Sequence, residues 1–544
     1  MTDRLKPADT VLLGKTFTAD PQRPLAHGVA LRNGIITAVG SADELAHHTG
    51  ATTSVVECGG LIAPAFHDAH IHLLEGSLFD CGVNLHDVEP AQYLDVVGAA
   101  ASQLPAGAWV RGGGWSMAAF PGGSPDRRHL DAVVGGRPAY LTARDGHTAW
   151  VSTRTLELCG IDSSTSDPLG GRVERGRDGE PSGALHETAM KLVSAQLPQV
   201  TGAEWAQALE LGQRYLHSLG IVGWQDARLS PEMLRAYLDA ETSGRLSAYV
   251  AAAMHWNPAV GANQIDGLLD SRRLATGSLV SAEMVKLFVD GVVENGTAAL
   301  HRPYVATESH GAPLFDDAEL RSAIGSCVGE GFHVHVHAVG DAGTTRALDA
   351  FEAVRRQSMR SGLRHQICHL QVVADSDVSR FAALDVIANV QALWACRDEQ
   401  NVSLCAPRLG PDRFEQQYRF GDLARSGARL AFGSDWRVST PHPLSQIEVA
   451  ITRQPPGDSV TAKLGEGQEL SLTTGLLGFT REAAYAAGVE GRTGTLSAGR
   501  SADVVVLNAD PFTVAPHDLA SVEADMTLFQ GRVVFERSAA SSMH

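Results

Sequence analysis

The sequence predicts an α/β protein: a TIM-type (β/α)8 barrel with a small β-sandwich domain built from both chain termini and an insertion after the first barrel strand. Three observations predict it. Both ends of the chain read as short strands joined by turns. The long middle alternates apolar strand runs with helix-like segments. Residues from about 75 to 220 hold too much chain for a single strand-to-helix step.

At the N-terminal end, residues 10–13 and 30–32 are strand runs, and Asn33-Gly34 followed by residues 35–39 is a hairpin signal. The C-terminal end repeats that style in residues 503–507 and in 526–535, which the Gln530-Gly531 turn divides. Residues 1–62 and 481–544 are therefore expected to form one β domain, with 63–480 left for the barrel. Within the barrel, residues 284–289, 333–337, 386–390 and 430–432 read as strands. Residues 343–356 and 375–384 carry apolar side chains at helical spacing. Repeated alternation of this kind implies parallel strands. In the insertion, the glycine- and proline-rich residues 112–125 suggest a lid or pocket wall over the barrel mouth.

Composition narrows the function classes. The 544 residues include 44 Lys+Arg against 62 Asp+Glu, a formal net charge of −18. Such a chain repels phosphate backbones and anionic lipid surfaces, so neither nucleic acid nor membrane is the expected partner. A small-molecule substrate is, and a homodimer stays open. The seven cysteines are scattered without a CxxC pair, which argues against a disulfide framework or a thiolate zinc site. The opening MTDRLKPADT has no signal-peptide apolar core and no long apolar run follows, so a cytoplasmic location is expected.

Five short stretches carry chemistry. In Phe66-His67-Asp68-Ala69-His70-Ile71-His72, strand alternation puts Asp68, His70 and His72 on one face. Two imidazoles about 7 Å apart along that face can converge on one cation. In residues 285–291, Lys286 shares a face with Phe288 and Asp290. A lysine inside a barrel is costly unless neutralised, by an ion pair or by carbamylation with CO₂ into an anionic ligand. In residues 333–341, His333, His335 and His337 share a face. His337 lies nearest the C-terminal end, where parallel barrels place their sites, with His335 as a supporting neighbour. Among residues 364–369, His365 and His369 lie four apart, but no Glu follows His365 as a helical metal site needs, so the segment reads as a strand with His369 facing inward. Finally, an apolar strand stops at Gly433, and Asp435 emerges where a general base or carboxylate ligand belongs. Capping the next segment is the plainer role for that aspartate.

Each stretch alone has an ordinary structural explanation. Their order does not: His-x-His, Lys, His, His and Asp each end a separate apolar run. Other motifs fail. Gly14-Lys15-Thr16 has Asp9 where a phosphate-binding loop needs glycine, no G-x-S-x-G elbow occurs, and residues 112–114 lack the setting of a dinucleotide fingerprint.

These stretches together resemble the amidohydrolase superfamily, and within it the YtcJ-like branch that includes N-substituted formamide deformylases. Residues 62–72 are similar to P-G-F-x-D-x-H-x-H, 285–291 to V-K-x-F-x-D-G, 336–341 to H-A-x-G-D and 433–435 to G-S-D. Residues 494–503 resemble the closing motif of the β domain, and 109–115 and 130–161, with Asp145-Gly146-His147, follow the branch's insertion. The resemblance implies His70, His72, His337, His369 and Asp435 as metal-site residues and Lys286 as a carbamylated bridge. It implies one or two divalent ions, zinc foremost, and Asp435 as the base that activates water to cleave a carbon–nitrogen bond. His147 is then a candidate for stabilising the oxyanion, with Trp115 and Trp394 as pocket groups. Two departures stand out: Ala65 replaces the glycine of P-G-F, and Cys368 replaces the acidic neighbour of His369. A mononuclear, deaminase-like hydrolase and a non-catalytic binding protein on the same fold remain alternatives.

Overall fold

In the computed structural model, residues 6–538 are described except 87, 169, 306 and 358–361. Eight strands form the central sheet: β1 (Phe66–Ile71), β2 (Ile221–Leu229), β3 (Tyr249–His255), β4 (Val280–Phe288), β5 (His333–Ala338), β6 (Gln366–His369), β7 (Ile387–Val390) and β8 (Leu430–Phe432). They lie side by side in chain order, and every neighbouring pair is parallel. Specific hydrogen bonds bring the last strand back to the first. The Asp435 N–H donates to the His70 carbonyl (2.7 Å), and the Ser434 N–H donates to the Asp68 carboxylate (3.0 Å). The TIM-type barrel expected from the alternation is therefore present.

Strand parity explains the composition of the runs. In β5, Val334, Val336 and Ala338 pack outward into the main apolar core, while His335 and His337 take the opposite parity. Lys286 of β4 stands beside His335, and Phe288 beside His337. The helix Asp341–Gln357 follows β5 and the helix Asp375–Leu384 follows β6, close to the segments read as helical.

Both termini feed one eight-stranded sheet. Its path runs from Arg532–Glu536 and Ala524–Phe529 through Val504–Leu507 and Ile62–Pro64 to Thr10–Phe17, Leu25–Arg32 and Ile35–Val39, with Ser54–Glu57 beside Thr10–Phe17. The sheet curls until its ends meet, the Ala502 N–H donating to the Gly34 carbonyl (2.9 Å). Leu12, Val29, Leu31, Ile62, Val504 and Leu528 fill the space between. Asn33 (φ 50°) and Gly34 (φ 77°) make the predicted hairpin turn, and Gln530 (φ 50°) and Gly531 (φ 73°) make the second.

Between β1 and β2 lies a six-stranded sheet of its own, from Gly171–Arg175 at one edge to Val83–Asn84 at the other. Here one expectation is corrected. Residues 112–114 are not part of a lid, because they belong to the strand Val110–Trp115 inside this sheet. A Cβ at Gly112 would sit 2.0 Å from the Val83 carbonyl oxygen, and one at Gly113 would sit 2.2 Å from that of Thr142. The glycines permit close strand approach rather than loop motion. The insertion instead faces the barrel mouth with the turn Asp145-Gly146-His147, which joins Ala139–Ala143 to Thr148–Val151.

Candidate metal centre

The C-terminal ends of β1, β5, β6 and β8 bring five of the expected side chains together. His72 Nε2 lies 3.2 Å and His70 Nε2 3.6 Å from Asp435 Oδ1, and His369 Nδ1 lies 3.8 Å from Asp435 Oδ2. The His337 ring is 4.4 Å from that of His369, centroid to centroid. Its Nε2–H donates to the Gly291 carbonyl (3.2 Å), which leaves Nδ1 as the unprotonated nitrogen.

Three of these side chains reach the centre in a way that alternation did not foresee. Along β1 the register against β2 shifts: Asp68 stands opposite Trp224, but Ile71 stands opposite Asp226. The extra residue lets Ala69 pack on Ile387 and Ala431 while His70 also reaches the centre. In β6, the parity shared with His337 belongs to Cys368, not His369. His369 arrives because the strand ends there in a left-handed turn, with φ 78° at His369 and 52° at Leu370. Asp435 likewise sits at φ 53°, just past the end of β8. Gly433 is required beneath it, since a Cβ there would stand 2.4 Å from the His70 backbone nitrogen.

The donor set fits a divalent cation. His70 Nε2, His369 Nδ1 and Asp435 Oδ1 are buried and make no hydrogen bond, and His72 turns Nε2 toward Asp435 and Nδ1 toward Glu75 (3.8 Å). Leaving such atoms unpaired is costly, and a positive ion among them would satisfy them together. His70, His72 and Asp435 present ligand atoms all within 4.8 Å of one another. Burial, reinforced by the Lys286 ammonium, holds His70, His335, His337 and His369 well below the ordinary imidazole range, so they are neutral, as metal ligands must be.

Lys286 is fully buried, and burial lowers its pKa. Its Nζ–H donates to Cys368 Sγ (3.1 Å), whose thiol donates to the Val336 carbonyl (3.2 Å). The departure noted at Cys368 thus lies directly against the lysine. His147 is held from the insertion side: its Nδ1 is 2.9 Å from Glu187 Oε2, and its ring lies 6.0 Å from that of His337. Burial alone would push this imidazole down, but the Glu187 carboxylate outweighs it and raises the pKa to about 9. Thr297 Oγ1–H (3.0 Å) and Asn295 Nδ2–H (3.4 Å) donate to the other Glu187 oxygen.

The two tryptophans separate. Trp394 stacks on His369, with centroids 5.4 Å apart and planes at 15°. Trp115 does not reach the site. It is buried against Phe120 and Trp150 within the insertion, and its Nε1–H donates to the Leu141 carbonyl (2.9 Å). Its placement in an insertion strand, rather than a mouth loop, is the physical reason.

Sequence reasoning missed several supports. Asp290 accepts from the Val339, Gly340 and Ala299 N–H groups (2.9 to 3.0 Å), tying the loops after β4 and β5 together. Its place in the run after Lys286 was visible, its task was not. Glu187 carried no local signal at all. Gln225, Gln366, Asn389 and Gln391, all fully buried, were not singled out from the sequence.

A profile of the amidohydrolase family matches residues 58–535. The protein LONG AFTER FAR-RED 3 of Arabidopsis thaliana is 29% identical over 527 residues, covering 93% of this chain and 88% of its own. N-substituted formamide deformylase of Arthrobacter pascens is 25% identical over 549 residues, covering 96% and 97%. Among solved structures, an uncharacterized metal-dependent hydrolase from Pyrococcus furiosus matches the fold with a TM-score of 0.70 at 24% identity, covering 93% of this chain and 99% of that one. The resemblance drawn from the motifs is borne out, and the chain belongs to the amidohydrolase family.

Proposed function

We propose that the protein is a metal-dependent hydrolase that cleaves a carbon–nitrogen bond in a small amide, with an N-substituted formamide as the leading substrate class. The observation that carries this reading is the convergence of unpaired buried atoms from His70, His369 and Asp435, with His72 Nε2 3.2 Å from Asp435 Oδ1, on one point at the barrel rim. These residues, with His337, would hold the cation. When bound, a divalent ion such as Zn²⁺ supplies polarisation of the substrate carbonyl and makes water acidic enough to attack near neutral pH.

The chain's own groups supply the rest. Asp435, with one oxygen toward His70 and His72 and the other toward His369, is placed to accept the proton of the attacking water and return it to the departing nitrogen. His147, protonated and fixed by Glu187, faces the His337 side of the centre, where it can donate to the developing oxyanion. Trp394 packs over His369 and offers an apolar wall to a substituent on the nitrogen.

One observation favours a single-cation variant of this reading. Lys286 Nζ donates to Cys368 Sγ, so the buried amine has a protein partner without a second cation. Elemental analysis separates the two forms, with near one ion per chain for an unmodified Lys286 and near two for a carbamylated one. The function itself is tested by incubating zinc-loaded protein with a panel of N-substituted formamides and measuring formate. Release that a chelator abolishes supports the reading. Hydrolysis indifferent to chelator, or none across formamides, hydantoins and aminated rings, overturns it.

A further inference from the structure

The space between the barrel mouth and the insertion carries its charges on opposite sides. Around His147 the charge is negative: Glu187 pairs with its Nδ1, and Asp145 and Glu294 act on it as well. Across the centre, at the end of β2, the charge is positive. Arg228 is the single exposed residue of the strand Ile221–Leu229, and 45% of its side chain is open. Its Nη2–H donates to Glu75 Oε2 (2.8 Å), on the helix Leu73–Leu78 that follows β1. Its Nε and Nη1 groups have no partner among the described residues. The Arg228 and Lys191 cations both act on His255 at the end of β3, and Arg228 acts on Tyr140 of the insertion.

This guanidinium borders the candidate centre. The Glu75 oxygen that it holds lies 3.8 Å from His72 Nδ1, and His72 Nε2 lies 3.2 Å from Asp435 Oδ1. Stability does not account for the arginine, because an ion pair with a carboxylate that is itself 35% exposed contributes little. Glu75 instead fixes the orientation of the planar fork, whose remaining N–H groups match the two oxygens of a carboxylate. An anionic group entering the mouth is repelled by Glu187, Asp145 and Glu294 and drawn to the Arg228 side. Asp435 follows β8, so it stands between β1 and β2 on one side and β7, with Trp394 just beyond its end, on the other. A nitrogen departing at Asp435 therefore has Arg228 to one side and Trp394 to the other.

We propose that the substrate is a formamide whose nitrogen substituent carries a carboxylate, as in an N-formyl α-amino acid, and that Arg228 is the specificity residue that binds this carboxylate. This rests on the formamide reading above and narrows it. The amino-acid side chain lies against Trp394, and the formyl oxygen points to the His147 side of the centre. Hydrolysis adds one water across the formyl C–N bond and releases formate and the free amino acid. The fork, held by Glu75 beside His72, sets the distance from carboxylate to scissile bond.

The experiment compares zinc-loaded wild type, Arg228→Met and Arg228→Lys on two compounds that differ only in the carboxylate, N-formylleucine (its faster enantiomer) and the matching N-formylleucinamide. Formate release gives kcat and KM, and zinc content and thermal unfolding of each protein accompany the kinetics. Wild type is expected to prefer the acid by about 10- to 100-fold in kcat/KM, the range for hydrogen bonds to a charged group. Its KM for the acid, and not for the amide, should rise with salt. Arg228→Met should erase that preference, chiefly through KM, and Arg228→Lys should recover part of it as a point charge without the fork. Equal or faster turnover of the amide by wild type overturns the inference and leaves the hydrolase reading standing. So does an Arg228→Met protein that keeps the preference, or one that loses both compounds equally together with its zinc, which marks a role in supporting His72 through Glu75. Release of formate from neither compound, nor from uncharged formamides, overturns the formamide reading and this inference with it.

Discussion

Replacing Glu187 with glutamine should remove most of the pH dependence that the insertion lends to stability above neutrality. Burial works against a charged His147, yet the carboxylate 2.9 Å away raises its pKa from the usual 6.5 to about 9, with Asp145 and Glu294 contributing further. A raised pKa means that the folded protein holds a proton the unfolded chain releases. The stabilisation is therefore complete below about pH 6.5 and is lost as pH rises through about 9. A difference of that size corresponds to about 3 kcal/mol. Both side chains are more than four-fifths buried, so solvent screening removes little of it. The substituted amide would keep a hydrogen-bond acceptor but not the charge, and His147 would relax toward its ordinary range. The assay is urea unfolding of chelator-treated protein between pH 6 and 10, since a bound cation would itself repel the imidazolium. The eight tryptophans, Trp115 and Trp150 of the insertion core among them, supply the fluorescence. Wild type should lose stability steeply between pH 6.5 and 9, and the variant should not. Parallel pH profiles for the two proteins would refute the pairing as the cause.

Asp435→Asn should lower turnover by about 100- to 10,000-fold, the range for loss of a general base, with formate release as the measure. Lys286→Met should leave one ion per chain if Lys286 is unmodified and lower the stoichiometry from two if it is carbamylated, read by elemental analysis beside the intact mass of the wild type. Gly433→Ala drives a Cβ to 2.4 Å from the His70 backbone nitrogen. It should cost about 1–3 kcal/mol in thermal or urea unfolding and weaken Zn²⁺ uptake as well. Trp394→Ala should raise KM for formamides with bulky nitrogen substituents more than for small ones, since it removes the apolar wall over His369.

The barrel was legible because its outward-facing residues obey a simple rule. Val334, Val336 and Ala338 alternate with His335 and His337 as a parallel strand packed under helices requires. The termini were legible through turn chemistry, as Asn33-Gly34 and Gln530-Gly531 both adopt the left-handed conformations that such pairs favour. Alternation was a poorer guide to the site. It gave His369 the inward parity that Cys368 holds, and it gave β1 an unbroken register that the extra residue interrupts. A residue from a distant run, such as Glu187, has a task only once the fold brings partners to it. The resemblance implied Trp115 as a pocket group, but the glycines beside it serve close strand pairing and the ring packs in the insertion core.

The positions where alternation failed have a common cause. Regular strand geometry brings His337 to the centre on β5, but the inward parity of β6 falls on Cys368 and β8 ends before Asp435. His369, Leu370 and Asp435 leave the strand geometry through positive φ values, which cost of order 1–3 kcal/mol each for residues with a Cβ. The surroundings hold them there: the Asp435 N–H is tied to the His70 carbonyl, the His369 N–H to Gln391, and the Leu370 N–H to the Ala338 carbonyl (2.7, 2.9 and 3.1 Å). Two of these bonds end on, or beside, another residue of the centre, at His70 and next to His337, and the third ends on the buried Gln391. Strain at one ligand is therefore balanced by hydrogen bonds that position the next, so a substitution such as Gly433→Ala should disturb His70 and Asp435 together. If only one of the two moved, as judged by a cobalt spectrum altered without loss of the second ligand, the ligands would be held independently and this account of the strain would fail.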